Sequence, residues 1–189
     1  NSKNEIENKE NKANVIESNE IEEQEKLLNE KKTVNPQPIA NGKYKIISSL
    51  DSNMGLDISN ASKNSGTNVQ IWYYCGEVQQ KFQLEYDGNG YYIIRNTYTG
   101  KVLDVENASK NSGANVWQYD YNGTDAQKWQ IVETEQKGYY NIISKLSGMC
   151  LDVAGGVANY KANVQVYTPN NTPAQKFQII EVKSFNPQK

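Results

Sequence analysis

Residues 103–129 read LDVENASKNSGANVWQYDYNGTDAQKW, and the same phrase stands on either side of them. Leu56-Asp57-Ile58 and Leu151-Asp152-Val153 match Leu103-Asp104-Val105, and Asn68-Val69 and Asn163-Val164 match Asn115-Val116. Gln80-Lys81-Phe82 and Gln175-Lys176-Phe177 match Gln127-Lys128-Trp129. Working outward, each copy opens on a further landmark, Tyr44-Lys45-Ile46-Ile47, Tyr91-Tyr92-Ile93-Ile94 or Tyr139-Tyr140-Asn141-Ile142. Every landmark shifts by 47 from the first copy to the second and by 48 to the third, so the extra residue lies between Trp129 and Tyr139. Three copies in register, 44–90, 91–138 and 139–185, make internal repetition the first fact about this chain.

Inside each copy the local signals are those of strands. Short alternating stretches such as Lys176-Phe-Gln-Ile-Ile-Glu-Val182 are separated by turn clusters such as Asp87-Gly-Asn-Gly90 and Lys110-Asn-Ser-Gly113. About four stretches fit per copy, which predicts an all-β body of about twelve short strands, a barrel or a sandwich. Threefold repetition favours a closed body. It brings Leu56, Leu103 and Leu151 to one level and Phe82, Trp129 and Phe177 to another, so that each copy completes its neighbours' core. A large ring recurring once per copy belongs inside.

Composition narrows the function. The 189 residues carry 22 Asp+Glu against 20 Lys+Arg, a formal charge of −2, and no histidine. A charge this near zero leaves no electrostatic footprint for a polyanion, which argues against nucleic acid as partner. Without imidazole, neither Ser-His-Asp nor Cys-His hydrolysis nor a His-containing zinc site can be assembled, and no cofactor is expected. The absence of a long apolar run argues against a membrane span. The surplus lies in 13 Tyr, 3 Trp and 3 Phe. Tyrosine joins a flat apolar face to a polar tip, which suits a soluble surface that grips a ligand.

The first 38 residues obey different rules. They hold no glycine, no aromatic residue, nine Glu and six Lys. Such a segment supports a solvated helix or a disordered chain equally well, and Val34-Asn35-Pro36-Gln37-Pro38 stops any helix. The chain thus divides into an acidic leader or linker, 1–38, and a repeat body, 39–189. Opening on Asn1 rather than Met, it reads as a secreted or cell-surface protein shorn of its signal peptide, or as a piece of something longer.

At residues 41–183 the pattern resembles the ricin B-type lectin family, a β-trefoil whose repeats each carry a Gln-x-Trp signature, here Gln-Lys-Phe, Gln-Lys-Trp and Gln-Lys-Phe. The resemblance implies up to three shallow sugar pockets, one per repeat. Its motif falls on Asp57, Gln70, Trp72, Gln79 and Gln80 in the first copy, and on Asp104, Tyr119, Asn122 and Gln127 in the second. In the third it falls on Asp152, Gln165, Tyr167, Asn170 and Gln175. Trp117 stands where the second copy would usually have Gln, and Ala126 and Ala174 precede two of the signatures. The family's bridge joins cysteines within one repeat, whereas Cys75 and Cys150 lie in different repeats, so two unpaired thiols buried as small hydrophobes are expected.

The implied chemistry stands without the resemblance. A pyranose has a C–H face and a rim of hydroxyls, so it needs a flat ring and a polar group beside it. Trp72, Tyr119 and Tyr167 supply rings, Asp57, Asp104 and Asp152 accept from neighbouring hydroxyls, and Gln or Asn offers a donor and an acceptor together. No bond has to break. The aspartates also suit bracing of turns, and the signature glutamines serve equally well as ligand contacts or as buried amides satisfying loop backbone. The expected partners are glycans, galactose-type or other pyranosides, engaged at several sites at once. A catalytic or toxin partner that the module targets to glycans is a further expectation. The competing readings are a protein-binding or inhibitory trefoil and a glycosidase built on paired carboxylates; no second acidic residue recurs beside the three aspartates, so the chain is expected not to be an enzyme.

Overall fold

The structure, a computed structural model, describes residues 37–183; the leader's expected helix or disorder falls on residues 1–36, outside them. Twelve strands and six single-turn 3-10 segments make up the described part. In chain order the strands are β1 (Gly42–Ser48), β2 (Met54–Ile58), β3 (Thr67–Tyr73), β4 (Phe82–Tyr86), β5 (Tyr92–Asn96) and β6 (Val102–Val105). They continue with β7 (Ala114–Tyr119), β8 (Trp129–Glu133), β9 (Tyr140–Ser144), β10 (Cys150–Val153), β11 (Val164–Tyr167) and β12 (Phe177–Glu181). The all-β fold read from the spacing is what forms.

Six strands close on themselves. β1 pairs with β4, β4 with β5, β5 with β8, β8 with β9, β9 with β12 and β12 with β1, all antiparallel. Closure leaves no sheet edge, and the period of two along each strand sends alternate residues inward. Phe82 and Leu84 face in from β4 while Gln83 and Glu85 face out, and Ile94, paired with Leu84, faces in from β5. The repeated rings meet at one level. Phe82, Trp129 and Phe177 are each fully buried and each sits opposite an aromatic residue in the first half of a neighbouring strand: Tyr44, Tyr92 and Tyr140 respectively. Burying one such side chain contributes about 2 kcal/mol. At the chain's entry, the Ile39 N–H donates to the Tyr92 hydroxyl at 3.0 Å and its carbonyl accepts back at 2.6 Å, which ties that segment to the barrel.

The other six strands form three hairpins, β2–β3, β6–β7 and β10–β11, that cap the barrel. Leu56, Leu103 and Leu151 point from them into the core. The hairpins interlock around the threefold axis through the pairs Asn68↔Trp117, Asn115↔Gln165 and Asn163↔Gln70. There the three repeated asparagines join side chain to side chain: the Asn68 amide donates to Asn163 at 2.9 Å, and Asn163 donates to Asn115 at 3.0 Å. Asn115 then donates to the Glu106 carboxylate at 2.9 Å instead of returning to Asn68.

Each hairpin loop also reaches the next repeat. The N–H groups of Gly66, Gly113 and Lys161 donate to the carbonyls of Gln118, Val166 and Ile71. All three residues sit at positive φ, +79°, +87° and +66°, a region open to glycine and costly for a branched side chain. Lysine holds the glycine slot in the third repeat.

Candidate functional site

The three aspartates occupy the same place in their hairpins. Register sets Asp57 opposite Gln70, Asp104 opposite Trp117 and Asp152 opposite Gln165. Each partner donates to the acid's Oδ1: Gln70 at 3.0 Å, the Trp117 indole N–H at 2.7 Å and Gln165 at 2.9 Å. The departure at Trp117 is thereby explained, since an indole replaces the amide as donor. The carboxylates are 3–5 % exposed, yet each lines a concavity and keeps lone pairs beyond those its partner uses. Burial pushes the Asp57 and Asp104 carboxyls up from their ordinary range, opposed by the hydrogen bonds of Gln70, Gln80 and Gln79 in the first case and of Trp117 and Gln127 in the second.

Three open concavities follow, of about 260 Å³ beside Asp57, 300 Å³ beside Asp104 and 500 Å³ beside Asp152. The rings stand at their walls. Tyr119 and Tyr167 are exposed, at 39 % and 41 %, and Trp72 is half-buried. Tyr119 stacks on Trp117, with centroids 5.5 Å apart and an interplanar angle of 23°, so the second site has a two-ring platform. Trp72 carries a different neighbour: Tyr160 of the third repeat lies across it, 5.0 Å away and tilted by 54°.

Not every predicted contact reaches the surface. Gln80, Gln127 and Gln175 have no exposed surface, so the reading of these signature glutamines as ligand contacts gives way to the buried-amide reading. Each closes its loop in the same manner. Their Oε1 atoms accept from the N–H of Cys75, Asn122 and Asn170, and their Nε2 atoms donate to the carbonyls of Tyr73, Asp120 and Thr168, all within 2.8–3.1 Å. Gln175 also donates to Asp152 Oδ2 at 3.1 Å, so the signature holds the acid from below. Gln70, Gln79 and Gln165 line their concavities, and Asn122 and Asn170 are exposed at the rims of theirs. Their equivalent in the first site is Cys75. It is exposed and free, not buried as expected, whereas Cys150 is free and buried.

Two groups escaped the sequence reading. The turn after each aspartate lines its pocket: Asn60 in the first, Asn107 and Ala108 in the second, Gly155 and Gly156 in the third. These turns run through positive φ at two successive residues, Asn60-Ala61, Asn107-Ala108 and Gly155-Gly156, which brings backbone close to the cavity. The signal was present as Asn-Ala, Asn-Ala and Gly-Gly in one register, and Asn and Gly are the residues that best tolerate that conformation. The second is Lys161, which lines the first site from another repeat and left no mark in the motif.

A family model described as the ricin-type beta-trefoil lectin domain matches residues 43–177. A search of curated proteins finds no match. Among solved structures, the designed threefold-symmetric protein ThreeFoil is 38 % identical with a TM-score of 0.72, over 75 % of this chain and 99 % of its own. The exo-beta-1,3-galactanase 1,3Gal43A of Clostridium thermocellum is 27 % identical, with a TM-score of 0.72, over 77 % of this chain but 31 % of its own. A mosquitocidal holotoxin is 25 % identical, with a TM-score of 0.71, over 77 % of this chain and 18 % of its own. The chain thus spans under a third of these two larger proteins.

Proposed function

The chain belongs to the ricin-type β-trefoil lectin domain family, and on that premise we propose that it is a non-catalytic lectin with three shallow glycan sites at Asp57, Asp104 and Asp152. The observation that carries the reading is the threefold recurrence of one arrangement: a carboxylate held by a cross-strand donor, an aromatic ring at the wall beside it and open space between them. A pyranose laid with its C–H face on Tyr119 or Tyr167 brings its hydroxyl rim to Asp104 or Asp152. The acid accepts while the Asn122 or Asn170 amide donates from the rim. Galactose-type sugars and other pyranosides meet these demands alike. A single such site binds weakly, and three on one rigid body gain avidity on a repeated glycan.

The same reading gives the module a targeting role at a cell surface or outside the cell. It is supported by the galactanase and the holotoxin, where a similar domain makes up a minor part of a larger protein. The test is a glycan array probed with the full chain and with the variant Trp72→Ala/Tyr119→Ala/Tyr167→Ala. Binding of the parent to pyranoside glycans and its loss in the folded variant is the expected outcome. Equal signals, or a blank array for both, would remove the lectin reading.

A further inference from the structure

The first site differs from its two counterparts in one charged group. Apart from the aspartate, no charged side chain lines the second or the third concavity. The first is lined by Asp57 and also by Lys161, which arrives from the third repeat. Its ammonium stands 5.9 Å from the centre of the Trp72 ring, within the range at which a cation is drawn to an indole face, and it makes no ion pair among the described residues. Its backbone is tied to the first repeat. The Lys161 N–H donates to the Ile71 carbonyl at 3.1 Å, in the slot where Gly66 and Gly113 make the equivalent bonds in the other two repeats.

A lysine in that slot is a departure from the repeat that carries a conformational cost, since its φ of +66° is one that glycine accepts freely. The residue before it departs as well. Tyr160 replaces the serines at the matching positions: Ser65 donates to Asp120, and Ser112 accepts from Thr168. Tyr160 lies instead against Trp72 and is 62 % exposed. Both changes fall on the rim of the first site. Tyr160 packs on the ring that walls the site, and Lys161 adds a positive charge beside that ring.

Resting on the lectin reading, we propose that the first site selects an acidic pyranoside, one bearing a carboxylate or sulfate, with Lys161 as the residue that meets the anion, while the second and third sites take neutral sugars. The saccharide's C–H face lies on Trp72, a hydroxyl reaches Asp57, and the anionic substituent points away from that carboxylate towards the ammonium. Repulsion by Asp57 sets this orientation.

The three tryptophans make the test site-resolved. Trp72 belongs to the first site and Trp117 to the second, while Trp129 is fully buried with its N–H donating to the Leu103 carbonyl, so the three indole N–H signals in a nitrogen-proton correlation spectrum report two sites and an internal control. The full chain is titrated with methyl β-galactoside, methyl galacturonoside and galactose 6-sulfate. The expected result is that one or both acidic sugars move the Trp72 signal at about fivefold lower concentration than the neutral one, the worth of one well-placed exposed ion pair. The preference fades in about 0.5 M salt, and whichever acidic sugar acts first identifies the anionic group. Lys161→Gly, which restores the residue of the other repeats, abolishes the preference, and Lys161→Arg retains it. A Trp72 response equal for all three sugars, or a preference that survives Lys161→Gly, overturns this inference while neutral binding at Trp117 leaves the lectin reading standing. Silence at both indoles and at the Gln165 side-chain amide, which reports the third site in the same spectrum, would overturn both.

Discussion

Replacing Asp152 by alanine removes the proposed glycan contact and a structural brace together. Two amides donate to this carboxylate, Gln165 at 2.9 Å and Gln175 at 3.1 Å, and the two losses are unequal. Gln165 borders the open concavity, where water replaces the acid at little cost. Gln175 is fully buried; its other hydrogen stays on the Thr168 carbonyl, but the orphaned one costs about 2 kcal/mol. For a domain of this size that lowers the melting temperature by about 4–8 °C. Asp152→Asn keeps one acceptor oxygen and falls by about half as much. Calorimetry of both variants, beside retention on an immobilised glycan found on the array, gives the two readouts. A change under about 1 °C in Asp152→Ala would refute the brace, and undiminished retention at the third site would refute the ligand role.

The platforms behave in the opposite way. Tyr119→Ala and Tyr167→Ala each remove an exposed ring, so each lowers avidity on a multivalent glycan surface about tenfold while melting moves by less than about 2 °C; a large stability loss without a binding loss would assign these rings to the fold. Acid separates binding from stability too. Burial raises the Asp57 and Asp104 carboxyls, so their contribution to stability is fully present below the unfolded value of about 3.9 and is lost as pH rises through the folded values. The sugar needs the charged acceptor, so release from the first and second sites starts in mild acid above about pH 4 without unfolding driven by these two groups; elution and melting measured at matched pH check the order, and retention unchanged down to about pH 4 would contradict it. Ala61 and Ala108, at φ +50° and +49°, occupy positions where the third repeat has Gly156; Ala61→Gly and Ala108→Gly each stabilise by about 0.5–1 kcal/mol in urea unfolding, and destabilisation would show the turns to be unstrained.

The core was legible because burial repeats with the sequence. A ring at Phe82, Trp129 and Phe177 and a leucine at Leu56, Leu103 and Leu151 have no use for water, and a period of 47 or 48 residues aligns them in a closed body. The equivalent places of Asp57, Asp104 and Asp152 in their hairpins were legible for the same reason. Which polar group faces out was not, because a glutamine that closes a loop and one that meets a sugar have the same composition and the same spacing. Gln80 and Gln79 are adjacent in the chain, yet only Gln79 lines the concavity, a difference decided by the tight turn Val78–Gln80. Trp117 departs from the pattern because pattern registers residue type, whereas the acid registers only a donor within reach. Lys161 lay outside any single repeat's motif, since it lines a concavity built mainly by another copy.

The three axial asparagines form an open row rather than a closed ring, because Asn115 donates to Glu106. Three asparagines donating head to tail can circulate clockwise or anticlockwise, and inverting all three amides exchanges the two senses with no change in packing. The Glu106 carboxylate oxygen accepts at one end of the row. Asn115 therefore gives its hydrogen to Glu106, which leaves its oxygen for Asn163 and, in turn, the oxygen of Asn163 for Asn68. The matching positions are Ser59 and Ala154, so the anchor occurs in one lobe alone. A single carboxylate off the axis thus opens the ring into a row, fixes the direction in which the row runs and removes the mirror-like degeneracy that perfect symmetry would have left there.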